Sequence, residues 1–289
     1  MKKKISFTTQ GHRADIGEYK INRILPNTYV EAVGPFVFLD HLMPAEHSAN
    51  EPIKVVNGSG AHPHRGIATL TYIINGEADH FDSAGHHAKV KSGGVQWMKA
   101  GNGIIHDEAV NVDSDANDFL THALQFWINL PSKRKAEPPD YLPVQANEIP
   151  NKLLDGEAGW LKVIVGEFEN HVSKIPGYTK QFLYHIHLDS RKHFSINTES
   201  GWEYAAFLPL QNVVINDAEF EKGDFLLFEK GDGSVEMNAQ TSTDIILFGG
   251  EPYTEPFVAQ GPFVMNTQQE IAKAYADFHL GKYGQISYK

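Results

Sequence analysis

The chain of 289 residues is long enough for one large domain or for two domains of about 140 residues each, and either arrangement can bury a proper core. Its content of 41% hydrophobic and 21% charged residues is that of an ordinary globular protein, which argues against the disordered and membrane classes. The net charge of −11 argues against direct binding of nucleic acid, because domains that grip a phosphate backbone are usually basic.

The sequence contains no cysteine, so a metal site would have to be built from histidine and carboxylate. No stretch reaches the ~18 consecutive apolar residues of a membrane span. The basic start MKKKISFTTQGHRAD has no apolar segment behind it, so no secretory signal is predicted. We therefore expect a cytoplasmic protein without membrane association, and we expect a monomer.

Short strand-like runs bounded by Gly, Asp, Asn and Ser dominate the chain and predict an all-β sandwich or barrel fold. In chain order, these runs are ATLTYIING, VQWMKAG, HALQFWINL, WLKVIVGEF, FLYHIHLD, YAAFLPL, DFLLFEKG and DIILFGGE. The segment 132–160 is rich in proline and charge and is predicted to be a linker. We therefore expect two tandem β-domains, at 1–131 and 161–289.

One α-helix is predicted near the end, within NTQQEIAKAYADFHLGKYG. Thr267 and Glu270 have the spacing of a capping box, and Gly281 is a suitable stop signal. Between them, apolar residues recur at helical spacing, at Ile271, Ala274, Tyr275 and Phe278. The preceding GPFVMNT contains no ionisable group, so its predicted role is to lead into this helix and pack it on a barrel.

Two stretches each carry a pair of metal-capable side chains two residues apart: His62 and His64 in AHPHRG, and His106 and Glu108 in IIHDEAV. On a strand, such a pair lies on one face and can point at one ion. Three imidazoles and a carboxylate suit iron, manganese, nickel, copper or zinc, and would leave two positions of an octahedral ion open. Spacing alone leaves four unrelated polar residues as the alternative, but the glycine-dense surroundings favour a shared site.

The same motifs carry a family resemblance. An HxH pair, a strand ending in Gly76, a glycine-rich turn and a later histidine resemble the two signature motifs of the cupin superfamily. HPHRG, GGVQWMKAGNGIIHDE, LQFWINLP and GEPYTEPFVAQGPFVMNT are similar to the pirin family, over most of the chain. The resemblance implies two cupin barrels, of which only the N-terminal one holds a metal.

By the same resemblance, His62, His64, His106 and Glu108 would bind that metal. Fe(II) is expected, with Mn, Ni, Cu, Co or Zn as alternatives. The glutamate that follows HxH in other cupins is absent from RGIATL, so Glu108 would supply the carboxylate. Ala68 stands where pirins often have glutamate, which predicts a local difference in the pocket.

Other histidines are predicted to have structural roles. His185 and His187 repeat the HxH spacing in the second domain, but no later motif supplies the other half of a metal site. His86 and His87 are expected in a turn, and His122 in the core. Gln96, Trp97 and Met98 alternate on a strand, of which one side is expected to wall the cavity.

The resemblance implies a quercetin 2,3-dioxygenase that opens a flavonol heterocycle with O2 and releases CO, with Glu108 as catalytic base. The alternative is an iron- and redox-sensing regulator that binds a protein partner. A basic patch near the metal mouth, from Arg65, Lys89, Lys91 and Lys99, would favour that alternative. A third hypothesis is a cupin that acts on another small oxygenated molecule.

Overall fold

The computed structural model describes residues 1–116 and 119–289, and within them the fold is all-β with a C-terminal α-helix, as predicted. The described elements are β1 (Ile5–Gln10), β2 (His12–Arg13), β3 (Ile21–Leu25), β4 (Phe36–Glu46), β5 (His62–His64), β6 (Ile67–Asn75), β7 (Glu77–Asp82), β8 (His87–Lys91), β9 (Val95–Lys99), β10 (Ile104–Asn111), β11 (Leu120–Asn129), β12 (Asp140–Val144), β13 (Asn151–Leu153), β14 (Gly159–Val165), β15 (Glu167–Phe168), β16 (His171–Val172), β17 (Gln181–Leu188), β18 (His193–Asn197), β19 (Glu203–Phe207), β20 (Val213–Ile215), β21 (Ala218–Phe220), β22 (Asp224–Phe228), β23 (Ser234–Asn238), β24 (Thr243–Gly250), β25 (Val258–Gln260), β26 (Phe263–Met265) and α1 (Gln268–His279). In this part of the chain, no helix is both long enough and apolar enough to cross a bilayer.

The chain forms two compact units, which we name after their longest segments. The 38–148 unit comprises Asp15–Ile21, Phe38–Glu148 and Thr254–Lys289, and the 149–253 unit comprises Met1–Ala14, Asn22–Val37 and Ile149–Tyr253. Each unit therefore includes chain from both sides of the predicted linker. The boundaries predicted at residues 131 and 161 stay a prediction for the two domains.

The segment predicted as a linker contains short regular elements. Strand β12 pairs with β9, and β13 pairs with β14. Short 3-10 helices lie between and around them, at Arg134–Ala136, Ala146–Glu148 and Asp155–Glu157. The prolines therefore limit the length of these elements without preventing strand pairing.

In the 38–148 unit, five strands run in the order β12-β9-β6-β11-β4, and a second sheet runs β5-β10-β7-β8. The first seven residues of β6 and all of β9 are buried, so both faces of this sheet are covered. Between the sheets, Ile73 and Ala123 form one cluster with Ala78 and Val90. Because side chains alternate along a strand, the face of β7 that carries Ala78 also carries His80 and Asp82, and it faces this interior.

The 149–253 unit has a similar layering of a larger and a smaller sheet. Seven strands run β1-β22-β19-β24-β17-β14-β13, and four run β18-β23-β20-β21. Its core joins both sheets, with Leu161, Ile186 and Leu247 from the larger sheet and Val213 and Val235 from the smaller one. Burial of such branched side chains on facing sheets is the main stabilising contribution in this architecture.

The C-terminal helix begins and ends as the sequence predicts. Thr267 accepts a hydrogen bond from the backbone N–H of Glu270, and the Glu270 carboxylate accepts one from the backbone N–H of Thr267. Gly281, two residues beyond the last helical residue, has a φ of 72°. The apolar face packs with the strand of GPFVMNT, since Ile271 and Ala274 lie in one buried cluster with Phe263.

Gly66 allows two segments of the 38–148 unit to approach closely just after the HxH strand. Its φ is 83°, and a Cβ at this position would lie 1.9 Å from the carbonyl oxygen of Val264. We predict that Gly66→Ala lowers the free energy of unfolding by more than about 2 kcal/mol, since the strain of positive φ adds to a backbone clash. Urea unfolding of the purified variant measures this loss.

The matched control is Gly85→Ala. Gly85 also has a positive φ, 94°, but nothing lies within 4 Å of a Cβ built there. This variant should lose only the conformational contribution, about 1 kcal/mol. Equal losses in the two variants would contradict the close-approach explanation.

Candidate metal centre

The antiparallel pairing of β10 with two neighbouring strands brings the predicted ligands to one face. His106 lies opposite His62 on β5 and opposite Asp82 on β7. Glu108 lies opposite His80 on β7. Asp107 lies on the other face, where it accepts hydrogen bonds from Gly58 N–H and the Tyr288 hydroxyl.

Three of the four predicted ligands form one compact group. Ring nitrogens of His62, His64 and His106 all lie within 4.8 Å of one another. The Nε2 atoms of His62 and His106 are 3.0 Å apart. His64 and His106 are buried, whereas His62 is exposed, so the group has an accessible side.

Backbone carbonyls orient two of these rings. The Nδ1 atom of His62 lies 2.8 Å from the Gly60 carbonyl oxygen, and that of His64 lies 3.1 Å from the Pro262 carbonyl oxygen. Because a carbonyl oxygen only accepts, each Nδ1 must carry the hydrogen, which leaves the Nε2 lone pair available in the neutral ring. This is the support that metal-binding histidines usually have.

The donor set fits a transition-metal ion. His64 Nε2 is buried and has no hydrogen-bond partner within the described residues. Leaving such an atom unpaired costs about 1–3 kcal/mol, and coordination to a cation would satisfy it. Burial lowers the pKa of His64 to about 3, and burial together with the neighbouring histidines holds the pKa of His106 well below its usual value. Both rings are therefore neutral at physiological pH, as ligation requires.

Glu108 lies beside only part of this group. Its Oε1 atom is 3.7 Å from His106 Nδ1 and 3.4 Å from His80 Nδ1. Donor atoms of Glu108, His80 and His106 form a second cluster that could hold a metal, and it shares His106 with the first. Glu108 is therefore placed at the edge of the predicted site, and its role as a ligand stays a prediction.

His80 is the residue of this site that the sequence analysis missed. Its Nε2 lies 3.2 Å from Asp82 Oδ2, and its ring stacks on Tyr141 with centroids 4.2 Å apart. Burial lowers its pKa, but hydrogen bonds to Asp82 and Glu108 outweigh that effect, and the pKa is raised. The charged form, which donates from both nitrogens, is thereby favoured and holds Glu108 in place. The alternation of His80 and Asp82 on one strand was the available signal.

The other histidines considered in the sequence analysis have protein partners. His185 and His187 both contact Asp244 Oδ1, at 3.0 and 2.8 Å. His122 is fully buried, with its Nε2 atom 2.8 Å from that of His41. His86 lies just after a turn and His87 begins strand β8, so a turn was correctly predicted here but neither histidine lies within it.

All of strand β9 is buried. Burial therefore does not show which side of the strand, that of Trp97 or that of Gln96 and Met98, walls the cavity.

Comparisons with known proteins agree with this architecture. Residues 18–128 match the family model described as Pirin, and residues 183–284 match that of the Pirin C-terminal cupin domain. Human pirin is 32% identical over 271 residues, which cover 92% of this chain and 88% of the relative. A Pseudomonas aeruginosa protein, provisionally named a quercetin 2,3-dioxygenase, is 31% identical over 89% of each chain.

A solved structure extends the similarity to the whole fold. Quercetin 2,3-dioxygenase from Acinetobacter baumannii matches with a TM-score of 0.89 and 30% identity, over 99% of this chain and 100% of that one. The two β-units and the histidine-rich face thus define a tandem cupin protein. Given relatives above 30% identity over nine-tenths of its length, the chain belongs to the pirin family.

The buried neutral histidines predict a pH dependence of stability in the metal-free protein. Burial lowers the pKa of His41, like that of His64, to about 3, below the ordinary 6.5 of the unfolded chain. Unfolding therefore takes up protons between pH 3 and 6.5, so stability should fall as pH decreases through this window. Each histidine contributes up to about 1.4 kcal/mol per pH unit.

Urea unfolding in the presence of a chelator at pH 7, 6 and 5 measures this slope. In the His64→Gln variant, the dependence of the unfolding free energy on pH should be smaller by about the contribution of one histidine. A slope equal to that of the unaltered protein would contradict the depressed pKa of His64.

Proposed function

We propose that this protein is an Fe(II)-dependent dioxygenase that acts on flavonols in the manner of quercetin 2,3-dioxygenase. The observation that carries the proposal is the convergence of three imidazoles, two of which are held by backbone carbonyls so that Nε2 carries the lone pair that a metal would bind. Similarity to the Acinetobacter baumannii enzyme over the whole chain supports the choice of reaction. The products would be a ring-opened ester and carbon monoxide.

In this proposal His62, His64, His106 and Glu108 hold the metal. The bound metal would supply open positions for the flavonol oxygens and O2 and a path for electrons between them. Exposure of His62, in contrast to the burial of His64, would let substrate approach from the His62 side. Manganese, nickel, copper, cobalt and zinc suit the same donors and are the competing metals.

Glu108 would also accept the proton of the flavonol 3-hydroxyl. Its carboxylate is half-buried on the inner face, and His80 supports it from the opposite strand. A carboxylate held by a hydrogen bond on one side keeps other lone pairs available for a second contact. Proton transfer to such a positioned base typically contributes about 10²- to 10⁴-fold to the rate.

The regulatory alternative finds less support in the charges around the site. Each of the four basic residues that could form a docking patch is already engaged by a carboxylate. The pairs are Arg65 with Asp277, Lys89 with Glu77, Lys91 with Asp115, and Lys99 with Glu137. Local pairing removes much of the positive potential that would attract an acidic partner.

Reconstitution tests the proposal directly. After anaerobic loading with Fe(II), the protein should bind iron stoichiometrically, consume oxygen with quercetin and release CO. The His106→Ala variant should lose most of its iron and its turnover, because it removes the histidine shared by both clusters. Full iron occupancy in this variant would contradict the ligand set, and stoichiometric iron without turnover would contradict the dioxygenase.

A second prediction separates the base from the ligand. At saturating Fe(II), Glu108→Gln should reduce turnover per bound iron by about 100-fold or more, because the amide cannot accept the hydroxyl proton. The matched control is Asp107→Asn, which alters the neighbouring carboxylate on the opposite face and should retain turnover per bound iron. Unchanged turnover in Glu108→Gln would exclude the catalytic role.

A further inference from the structure

The C-terminal tail, residues 280–289, ends against the β5-β10-β7-β8 sheet, on the face opposite to the candidate metal ligands. The Tyr288 hydroxyl donates a hydrogen bond to Asp107 Oδ2 at 3.0 Å. The Tyr288 ring lies 5.5 Å from that of Phe81, measured between centroids. Because Phe81 and Asp107 are paired residues of β7 and β10, Tyr288 contacts both strands on this face.

The part of the tail before Tyr288 is itself held in place. Tyr283 is buried, and its hydroxyl donates to the Ala274 carbonyl of α1 at 2.8 Å. The Tyr283 carbonyl accepts a hydrogen bond from Ser83 Oγ, just beyond β7. The tail is therefore fixed a few residues before Tyr288, which reduces the conformational entropy lost when the terminal tyrosine is held against the sheet.

Asp107 connects Tyr288 to the loop that precedes β5. This 58–61 loop has the sequence GSGA and is exposed along its whole length. Asp107 Oδ2 accepts a hydrogen bond from Gly58 N–H at 2.7 Å. A Cβ at Gly60 would lie 2.6 Å from Asp107 Oδ1, so the backbone of the loop packs directly on the carboxylate. Glycine-rich backbone has much conformational freedom to lose, and a charge-assisted hydrogen bond restrains it.

The 58–61 loop in turn orients His62. The Gly60 carbonyl accepts a hydrogen bond from His62 Nδ1 at 2.8 Å. His62 is exposed, whereas His64 and His106 are buried, so packing restrains its ring less than theirs. The orientation of His62 and the location of its hydrogen on Nδ1 therefore depend on where the loop holds the Gly60 carbonyl.

We propose that Tyr288 is a positioning residue for metal binding, which acts through Asp107 on the 58–61 loop and so on the orientation of His62. The inference rests on the ligand set of the proposed function and does not depend on the dioxygenase reaction. Tyr288 and Asp107 contact each other on the face opposite to the ligands. Their contact therefore affects how tightly the metal is bound and leaves the turnover per bound metal unchanged.

The effect on His62 is measurable without a metal. The full-length protein is labelled with ¹⁵N-histidine, treated with chelator and studied by long-range ¹H–¹⁵N correlation NMR at about pH 8, where ordinary histidines are neutral. These spectra distinguish rings that carry the hydrogen on Nδ1 from those that carry it on Nε2, and His62→Ala assigns the signal. In the unaltered protein, His62 should carry the hydrogen on Nδ1. Tyr288→Phe should shift the ring toward the Nε2–H form, which an unrestrained imidazole favours.

The effect on metal affinity is measured with Co(II), whose visible absorption reports its binding to the chelator-free protein. Tyr288→Phe should weaken Co(II) binding about 3- to 10-fold, less than the loss of a group that contacts a ligand directly. In a His62→Ala background, Tyr288→Phe should cause no further loss, because the ring that it positions has been removed. A role in overall stability alone would give the same loss in both backgrounds.

Tyr275→Phe is the matched control. It removes the hydroxyl of another tyrosine of the C-terminal segment, which donates to the Gln260 carbonyl at 3.3 Å. This variant should leave the His62 ring and the Co(II) affinity unchanged. A second test variant ends the chain after Ser287 and should weaken Co(II) binding at least as much as Tyr288→Phe, because it also removes the Tyr288 hydroxyl.

Three results would overturn the proposal. These are an unchanged His62 ring in Tyr288→Phe, an equal loss of Co(II) affinity with and without His62, and an equal loss in the Tyr275→Phe control. Absence of Co(II) binding by the unaltered protein would instead refute the ligand set of the proposed function, and with it the metal-binding role of Tyr288, even where the NMR spectra change as expected.

Discussion

The register of β10 between β5 and β7 is the constraint on which the candidate metal centre depends. With His106 opposite both His62 and Asp82, and Glu108 opposite His80, one face carries both metal-capable clusters. A shift of one residue in β10 would move His106 and Glu108 to the other face, since side chains alternate along a strand. Backbone hydrogen bonding therefore decides which side chains meet.

The C-terminal segment supports this face from a distance of almost 200 residues in sequence. The Pro262 carbonyl orients His64, and the Val264 carbonyl accepts from the buried Lys135 Nζ at 2.7 Å. Burial lowers the pKa of Lys135 to about 7. Arg65, next to His64, pairs with Asp277 of α1 at 2.8 Å. The helix thus contributes to the site without contributing a ligand.

Local signals in the sequence were predictive, and of the long-range contacts only the meeting of His62 and His64 with His106 was predicted, with the help of the family resemblance. The i, i+2 pairs and the capping box of α1 depend on neighbouring residues, so their geometry follows from the element type. His80 and the Pro262 carbonyl reach the site through strand pairing and packing between segments far apart in the chain, which spacing does not encode. For the same reason, the return of residues 254–289 to the 38–148 unit was not predicted.

The two HxH pairs show why the motif alone does not define a metal site. In β17, His185 and His187 converge on one Asp244 oxygen, and this charged acceptor satisfies a nitrogen of each ring. In β5, the contacts of His62 and His64 with backbone carbonyls use Nδ1 and leave the inward Nε2 atoms to one another and to His106. A carboxylate that contacts both imidazoles satisfies them without a metal. Backbone carbonyls that contact Nδ1 instead leave each Nε2 without a charged partner, and a cation can take that position. The group that each ring contacts therefore distinguishes the two pairs. It supports metal binding by His62 and His64 and a structural role for His185 and His187.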